Sequence, residues 1–295
     1  MKIKGLTKHL LGEANIGRLE YLLKPELREH LGGAFNGEDN RKRTFSDLIN
    51  CVPFKAIVET GTYPGATSAF LCQFSLPIYM VEINPRFFAF AALRLRQHRK
   101  LIHMHEGDSP TFLRELAKAD GCPKSNVFFY LDAHWREHLP LKDELEIIFN
   151  SWSNSVVMVG DFQVPGTEYG YDDYGPGRVL NITYLDPLRH LGIWCFFPSL
   201  DPQLETGMKR GCVVLCRDER LKNALSKIDT LTPWDKKQIS EHRGVIFSKQ
   251  DLLRKGKKSC AEIERAFLDN GASGNCGVNE RTLWKKHFAA SHLLP

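Results

Sequence analysis

KAIVETGTYPGATSAFLCQFSLPIYMVEIN, residues 55–84, decides the fold. It holds a short apolar run ending at Gly61, a helix-like stretch, and a second apolar run ending at Glu82. Short apolar runs of this kind suit strands buried on both faces. The same unit repeats along the chain. PRFFAFAALRLRQHRK (85–100) reads as a helix with Pro85 at its start, where proline is tolerated. KLIHMHEGD (100–108) is a third strand with alternating character, and SPTFLRELAKAD (109–120) a helix capped by Ser109. NVFFYLDAH (126–134) is a fourth strand. LPLKDELEIIFNSW (139–152) places Leu141, Leu145 and Ile148 on one helix face, and SVVMVGDF (155–162) is a fifth strand. This alternation predicts an α/β protein with a doubly wound parallel sheet. Further on, ITYLDPLRHLG (182–192) reads as a helix interrupted at Pro187. GIWCFFPSL (192–200) and GCVVLCRDE (211–219) read as two more strands, closing the sheet as an antiparallel pair.

The flanks are less regular. RLEYLLKPELREHL (18–31) is amphipathic and broken by Pro25. GGAFNGEDNRKR (32–43) has the composition of a loop, and Thr44 to Leu48 that of a short helix. After Arg217 the pattern weakens, with short helices expected around 218–228 and 259–268. The expected organisation is an N-terminal helical segment (1–50), an α/β body (51–217) and a C-terminal extension (218–295), helical in part or partly disordered. With 42% apolar and 25% charged residues in 295, the composition is globular and excludes collagen-like, mucin-like or wholly disordered classes. The net charge of +5 sits in residues 217–295, which carry 16 basic against 10 acidic side chains. A solvated extension accounts for that; the body has no basic stripe, so nucleic acid is not the expected partner. The eight cysteines show no C-x-x-C pair, and Cys212 and Cys216 fall on one strand face as small core residues. Residues 1–20 lack a secretory signal's apolar stretch, and no run nears the roughly 20 apolar residues of a membrane span, so the expected location is the cytoplasm.

Glycines and acids recur at the C-terminal ends of the strands, the edge where open α/β sheets bind ligands. Glu59 through Gly65 forms a strand-to-helix turn matching neither the G-x-G-x-x-G nor the phosphate-loop pattern. Glu82 ends the second strand, 21 residues after Gly61, where an acid can accept hydrogen bonds from both ribose hydroxyls of a nucleoside. Asp108 could take an adenine amine while Ser109 caps the next helix; capping alone would also explain both. Asp132 and Asp161 end the fourth and fifth strands. If those strands are neighbours, the two carboxylates converge, and repel unless a cation or proton lies between them. A hard divalent ion, most simply Mg²⁺, fits oxygen ligands, and Gln163 could supply a third. His134 lies in the Asp132 loop. The loop GTEYGYDDYGPGR (166–178) is expected to form a lid or acceptor pocket.

The blocks VETGTYPG, YMVEINP, EGDS, FFYLDAHW and VMVGDF, taken in order from Ile57 to about Cys216, resemble the class I S-adenosylmethionine-dependent methyltransferases. The last two resemble the small metal-dependent O-methyltransferases of catechol and macrocin type. The resemblance implies a Rossmann-like, mostly parallel sheet of seven strands with an antiparallel final strand. It implies S-adenosyl-L-methionine on Glu59, Gly61, Thr62, Tyr63, Gly65, Ser68, Glu82, Asp108, Ser109 and Asp132. Mg²⁺ or a similar divalent cation is expected on Asp132, Asp161 and Gln163, with a small-molecule hydroxyl as acceptor. Two departures stand out. Gly160 replaces the first of the paired fifth-strand acids, and Arg136 occupies the place of a catalytic lysine. Arginine is a poor base, so His134 is assigned that role, with Asp132 beside it. The acceptor pocket is expected from the N-terminal segment, the tyrosine-rich loop and, in a homo-oligomer, a partner subunit. Two other classes stay open: a non-haem iron hydroxylase using Asp132 and His134, and a non-catalytic cofactor-binding module.

Overall fold

A computed structural model describes residues 12–29, 33–135 and 137–234. The chain clusters into two units, Met1–Pro233 and Trp234–Pro295, and the sheet with its helices belongs to the first. The extension's expected helix near 259–268, Cys260, Cys276 and Arg136 lie outside the described residues.

Eight strands form one sheet: β1 (Ala56–Thr60), β2 (Ile78–Glu82), β3 (Ile102–Glu106), β4 (Val127–Leu131), β5 (Val156–Val159), β6 (Trp194–Pro198), β7 (Val213–Cys216) and β8 (Leu231–Pro233). Their order is β3-β2-β1-β4-β5-β7-β6-β8. The first five are parallel, β7 runs against both its neighbours, and β8 runs against β6. The fold is thus the expected Rossmann-like, mostly parallel one, with an added edge strand. β8 is three residues ending in proline, too short to give a pattern and tolerated only at an edge. β1, β2, β4 and β5 are buried throughout, which is why they read as unbroken apolar runs. β3 lies at the edge and keeps one face more open, which produces its alternation. Cys212 and Cys216 are buried, as expected.

The helices are α1 (Glu13–Leu23), α2 (Pro25–Glu29), α3 (Asp39–Cys51), α4 (Ala66–Leu71), α5 (Pro85–Arg94), α6 (Ser109–Lys118), α7 (Leu141–Ser151) and α8 (Glu219–Leu225). Pro25 separates α1 from α2, as the sequence suggests. Residues 182–191 keep 3₁₀ turns through Pro187 in place of an interrupted α-helix, with Asn181 capping the start and Gly192 in the left-handed region at the end. The larger difference lies in GGAFNGEDNRKR, whose last five residues, Asp39 to Arg43, are not a loop but the start of α3. Arg41, Thr44, Phe45 and Leu48 make one buried stripe at i, i+3, i+4 and i+7. Phe45 meets Phe128 of β4 edge-on at 5.0 Å, and Phe35, just before α3, meets Tyr130 at 4.9 Å. These aromatic contacts lay α3 on the sheet and carry Arg41 to its C-terminal edge.

α1 docks on α5 by a close crossing and a buried ion pair. Arg86 Nε and Nη2 donate to the two oxygens of Glu20 at 2.6 and 2.5 Å. Gly17 sits so near α5 that a Cβ there would lie 2.0 Å from the Arg86 carbonyl oxygen. In an open helix Gly→Ala gains up to about 1 kcal/mol. Here Gly17→Ala is expected to lower stability by about 1–3 kcal/mol, the usual cost of overpacking, read as a lower urea midpoint. A raised midpoint would contradict the crossing.

Candidate active site

The strand order reverses between β1 and β4, and open α/β sheets bind ligands outside that reversal. The Gly61 turn lies there, held by its N–H donating to Val81 O at 3.1 Å. Gly61 has φ +78°, and a Cβ on it would fall 2.4 Å from the Asp132 carbonyl oxygen. The turn after β1 therefore packs directly on the turn after β4, and only glycine allows it.

On the β1–β2 side, Glu82 is buried. Its Oε2 accepts the Tyr63 N–H at 2.6 Å and its Oε1 the Asn84 N–H at 2.8 Å. Burial nevertheless pushes its carboxyl up to about 7. Glu59 is buried beneath the turn, accepts the Ser68 hydroxyl, and is pushed by burial up to about 8. Thr62 donates its hydroxyl to Val81 O, and Gly65 opens α4 in the left-handed region. Asp108 caps α6, its Oδ2 accepting the Thr111 N–H and hydroxyl. Ser109 is buried near Glu144, a carboxyl that burial pushes up to about 7. The expected nucleoside residues on this side lie at or after the ends of β1, β2 and β3, and the cap of α6 is Asp108, not the expected Ser109, which is the first residue of the helix.

On the β4–β5 side, Asp132, His134 and Asp161 offer ligand atoms within 4.8 Å of one another. Asp161 holds φ +53°, a costly conformation for a non-glycine residue. Gly160 explains its own identity: a Cβ there would lie 2.8 Å from Asp132 Oδ1 and 3.1 Å from the Tyr130 hydroxyl. The glycine makes room for Asp132, so a second acid at that place and this Asp132 orientation exclude each other. Gln163 has its N–H on Leu180 O at 2.8 Å, and His134 stands with the two acids.

Two arginines at this edge escaped the sequence reading. Arg41 is buried and ion-paired to Glu38 Oε2 at 2.7 Å and to Asp161 Oδ1 at 3.5 Å. It also donates to the Tyr130 hydroxyl at 3.2 Å, which donates to Asp132 Oδ2 at 3.2 Å. Arg210 pairs with Asp161 Oδ2 at 3.2 Å and with Asp172. Burial pushes the Asp161 carboxyl up, but Arg210 and Arg41 outweigh it and hold it below its usual range. Asp132 is raised by burial and by Asp161. Burial drives Glu38 up to about 8 despite Arg41. His134 is pushed down to about 4 by burial, opposed by Asp161 and reinforced by both arginines, so its ring is neutral near pH 7. The tyrosine-rich loop is pinned: Asp172 N–H donates to Asp161 O at 2.9 Å, and the Tyr169 hydroxyl to Leu200 O at 3.2 Å.

No protein-family model matches the chain, and no curated protein matches it. Solved structures similar to it include the O-methyltransferase TomG from Streptomyces achromogenes, involved in tomaymycin synthesis and bound to S-adenosylmethionine. It is 15% identical, over 60% of this chain and 79% of that one, with a TM-score of 0.43. An O-methyltransferase from Bacillus cereus in complex with S-adenosylhomocysteine is 11% identical over 60% and 81%, TM-score 0.44. A precorrin 8w decarboxylase from Methanobacterium thermoautotrophicum is 15% identical over 59% and 87%, TM-score 0.37. Likeness of this degree assigns no activity to this chain, and its functional reading rests on its own residues. Among the described residues no helix is long and apolar enough to cross a membrane.

The buried acids give the site a pH signature. Glu38 and Glu59 titrate at about 8, and Glu82 and Glu144 at about 7, all raised by burial from 4.5. Between pH 6.5 and 8 the folded chain keeps protons that the unfolded chain has lost, so stability falls as pH rises. His134, titrating at about 4, opposes this only below about 6.5, its unfolded value. In chelator, the calorimetric Tm is expected to drop from pH 6.5 to 8; a flat or rising Tm would contradict the burial of these acids.

Proposed function

We propose that the chain is a class I S-adenosylmethionine-dependent methyltransferase that methylates a hydroxyl of a small molecule with the help of a divalent cation. One observation carries the reading. The Gly61 turn, the place for a cofactor, packs on the Asp132 backbone, which begins the Asp132–His134–Asp161 cluster, at the point where the strand order reverses. Cofactor site and acid cluster are therefore neighbours.

The residues suit both groups. The Glu82 oxygens hold the Tyr63, Asn84 and Ile83 amides between them and keep a lone pair for a ribose hydroxyl. The Glu59–Gly65 turn, with Ser68 behind it, would face the methionine portion, and Asp108 and Ser109 the adenine end. For the cation, Asp161 Oδ1 and both ring nitrogens of His134 are buried without a hydrogen-bond partner. When bound, a divalent ion acidifies a coordinated hydroxyl and holds its oxygen in place. The chain's own contribution is alignment. Tyr130 and Arg41 fix Asp132, and Arg210 fixes Asp161. Aligning two reactants is worth up to roughly 7–11 kcal/mol. His134, neutral and beside the acids, is the proton acceptor of this scheme. Oxygen-dependent hydroxylation at iron is a second reading, favoured by the imidazole among the carboxylates; it predicts bound iron and no S-adenosylmethionine affinity.

Calorimetry with S-adenosylmethionine tests the first reading. Glu82→Ala is expected to weaken cofactor binding by roughly tenfold or more, since hydrogen bonds to a charged acceptor are worth about 1.5–3 kcal/mol. Asp132→Ala is expected to keep cofactor binding and lose cation-dependent release of S-adenosylhomocysteine over a panel of hydroxyl compounds. Absence of cofactor binding in the wild type would overturn the proposal. Gly160→Ala, which displaces the Asp132 carboxylate, is expected to behave like Asp132→Ala with an unchanged far-ultraviolet spectrum.

A further inference from the structure

The geometry points to a cation site whose donors include an imidazole nitrogen, His134 Nε2, and a carboxylate from the tyrosine-rich loop, Asp172. This rests on the cation part of the proposed function and changes His134's task from base to ligand.

His134 Nε2 lies 3.8 Å from Asp132 Oδ1 and 3.8 Å from Asp172 Oδ2. Both distances are too long for hydrogen bonds. Each separation matches two atoms sharing one ion: with metal–ligand bonds of about 2.1 Å, neighbouring and opposed ligands stand roughly 3–4.2 Å apart. The imidazole side chain is 2% exposed, and neither ring nitrogen has a hydrogen-bond partner. A buried imidazole left unpaired is costly unless something absent from the chain's own groups completes it.

Asp172 is not a passing surface acid. Its N–H is held by Asp161 O, and its carbonyl accepts the Leu180 N–H at 3.0 Å, so the loop is tied to the end of β5. Arg210 holds one Asp172 oxygen, and the Tyr174 hydroxyl donates to the other, Oδ2, which keeps a second lone pair for an ion beside His134. A mixed nitrogen and oxygen donor set selects a first-row transition ion over Mg²⁺, which prefers oxygen donors alone.

The test uses the full chain. Co²⁺ and Mg²⁺ are titrated by calorimetry, and the Mn²⁺-loaded protein is studied by electron spin echo envelope modulation. The expected results are Co²⁺ binding at least tenfold tighter than Mg²⁺ and ¹⁴N modulation from a coordinated imidazole. That modulation should be lost in His134→Ala. Asp172→Asn should weaken Co²⁺ by about tenfold or more, no less than the loss of an outer-shell partner costs. Mg²⁺ binding as tightly as Co²⁺, a wild-type spectrum without nitrogen modulation, or an Asp172→Asn protein of unchanged affinity would each overturn the proposal. Should His134→Ala not fold, the wild-type spectrum and Asp172→Asn still decide. S-adenosylmethionine binding measured in chelator separates the two claims: cofactor affinity without nitrogen modulation leaves the methyltransferase reading standing and removes this one.

Discussion

Arg41 against Asp161 and Glu38 is the contact on which the chemistry-bearing edge depends. Strand ends bring Asp132 and Asp161 together, and two half-buried carboxylates at that spacing would repel. Arg41 enters from a helix on the sheet face, and Arg210 from the approach to β7. Together they keep Asp161 ionised, while Tyr130 passes part of the same charge on to Asp132. Removing one partner of such a buried pair costs about 3–5 kcal/mol, because the other charge is left bare.

This arrangement divides the acids by environment. Asp161, between two guanidiniums, stays charged. Glu59, Glu82 and Glu144 have hydroxyls or amides for company and are raised by burial. The edge thus holds carboxyls of one chemistry in different protonation states, with a neutral imidazole in their midst. Such separation is how a single site keeps both a fixed anion and groups ready to change charge near neutrality.

The sheet was legible because its strands are buried on both faces and its turns carry Gly61, Glu82, Asp132 and Asp161 at their ends. Convergence of the last two followed from strand adjacency alone. α3 was not legible as a helix, because its first residues, DNRKR, are polar and their buried member is an arginine. The signal was present in the spacing: Arg41 continues the stripe of Thr44, Phe45 and Leu48 one turn upward. Arg210 left no comparable trace, and Asp172 showed only as a member of the tyrosine-rich loop. Their place depends on how residues 163–212 wind back over the sheet edge, which no local pattern encodes. Gly160 shows the opposite case. Read along the chain it is a missing acid; read in space it is clearance for one already there.

The strap from Gly33 to Arg41 has a consequence for how this protein can be cut or exchanged. Its backbone is locked to the loop before β7: Thr206 donates its hydroxyl to Gly37 O, Met208 its N–H to Asn36 O, and Gly207 passes too close to Asn36 for any side chain. Through that lacing the N-terminal segment and the last strands share custody of one buried guanidinium. A chimera that swapped the α/β body and kept the foreign N-terminus would inherit the acids without their counter-charge. The two regions are a single module for recombination, although a whole sheet separates them in the chain.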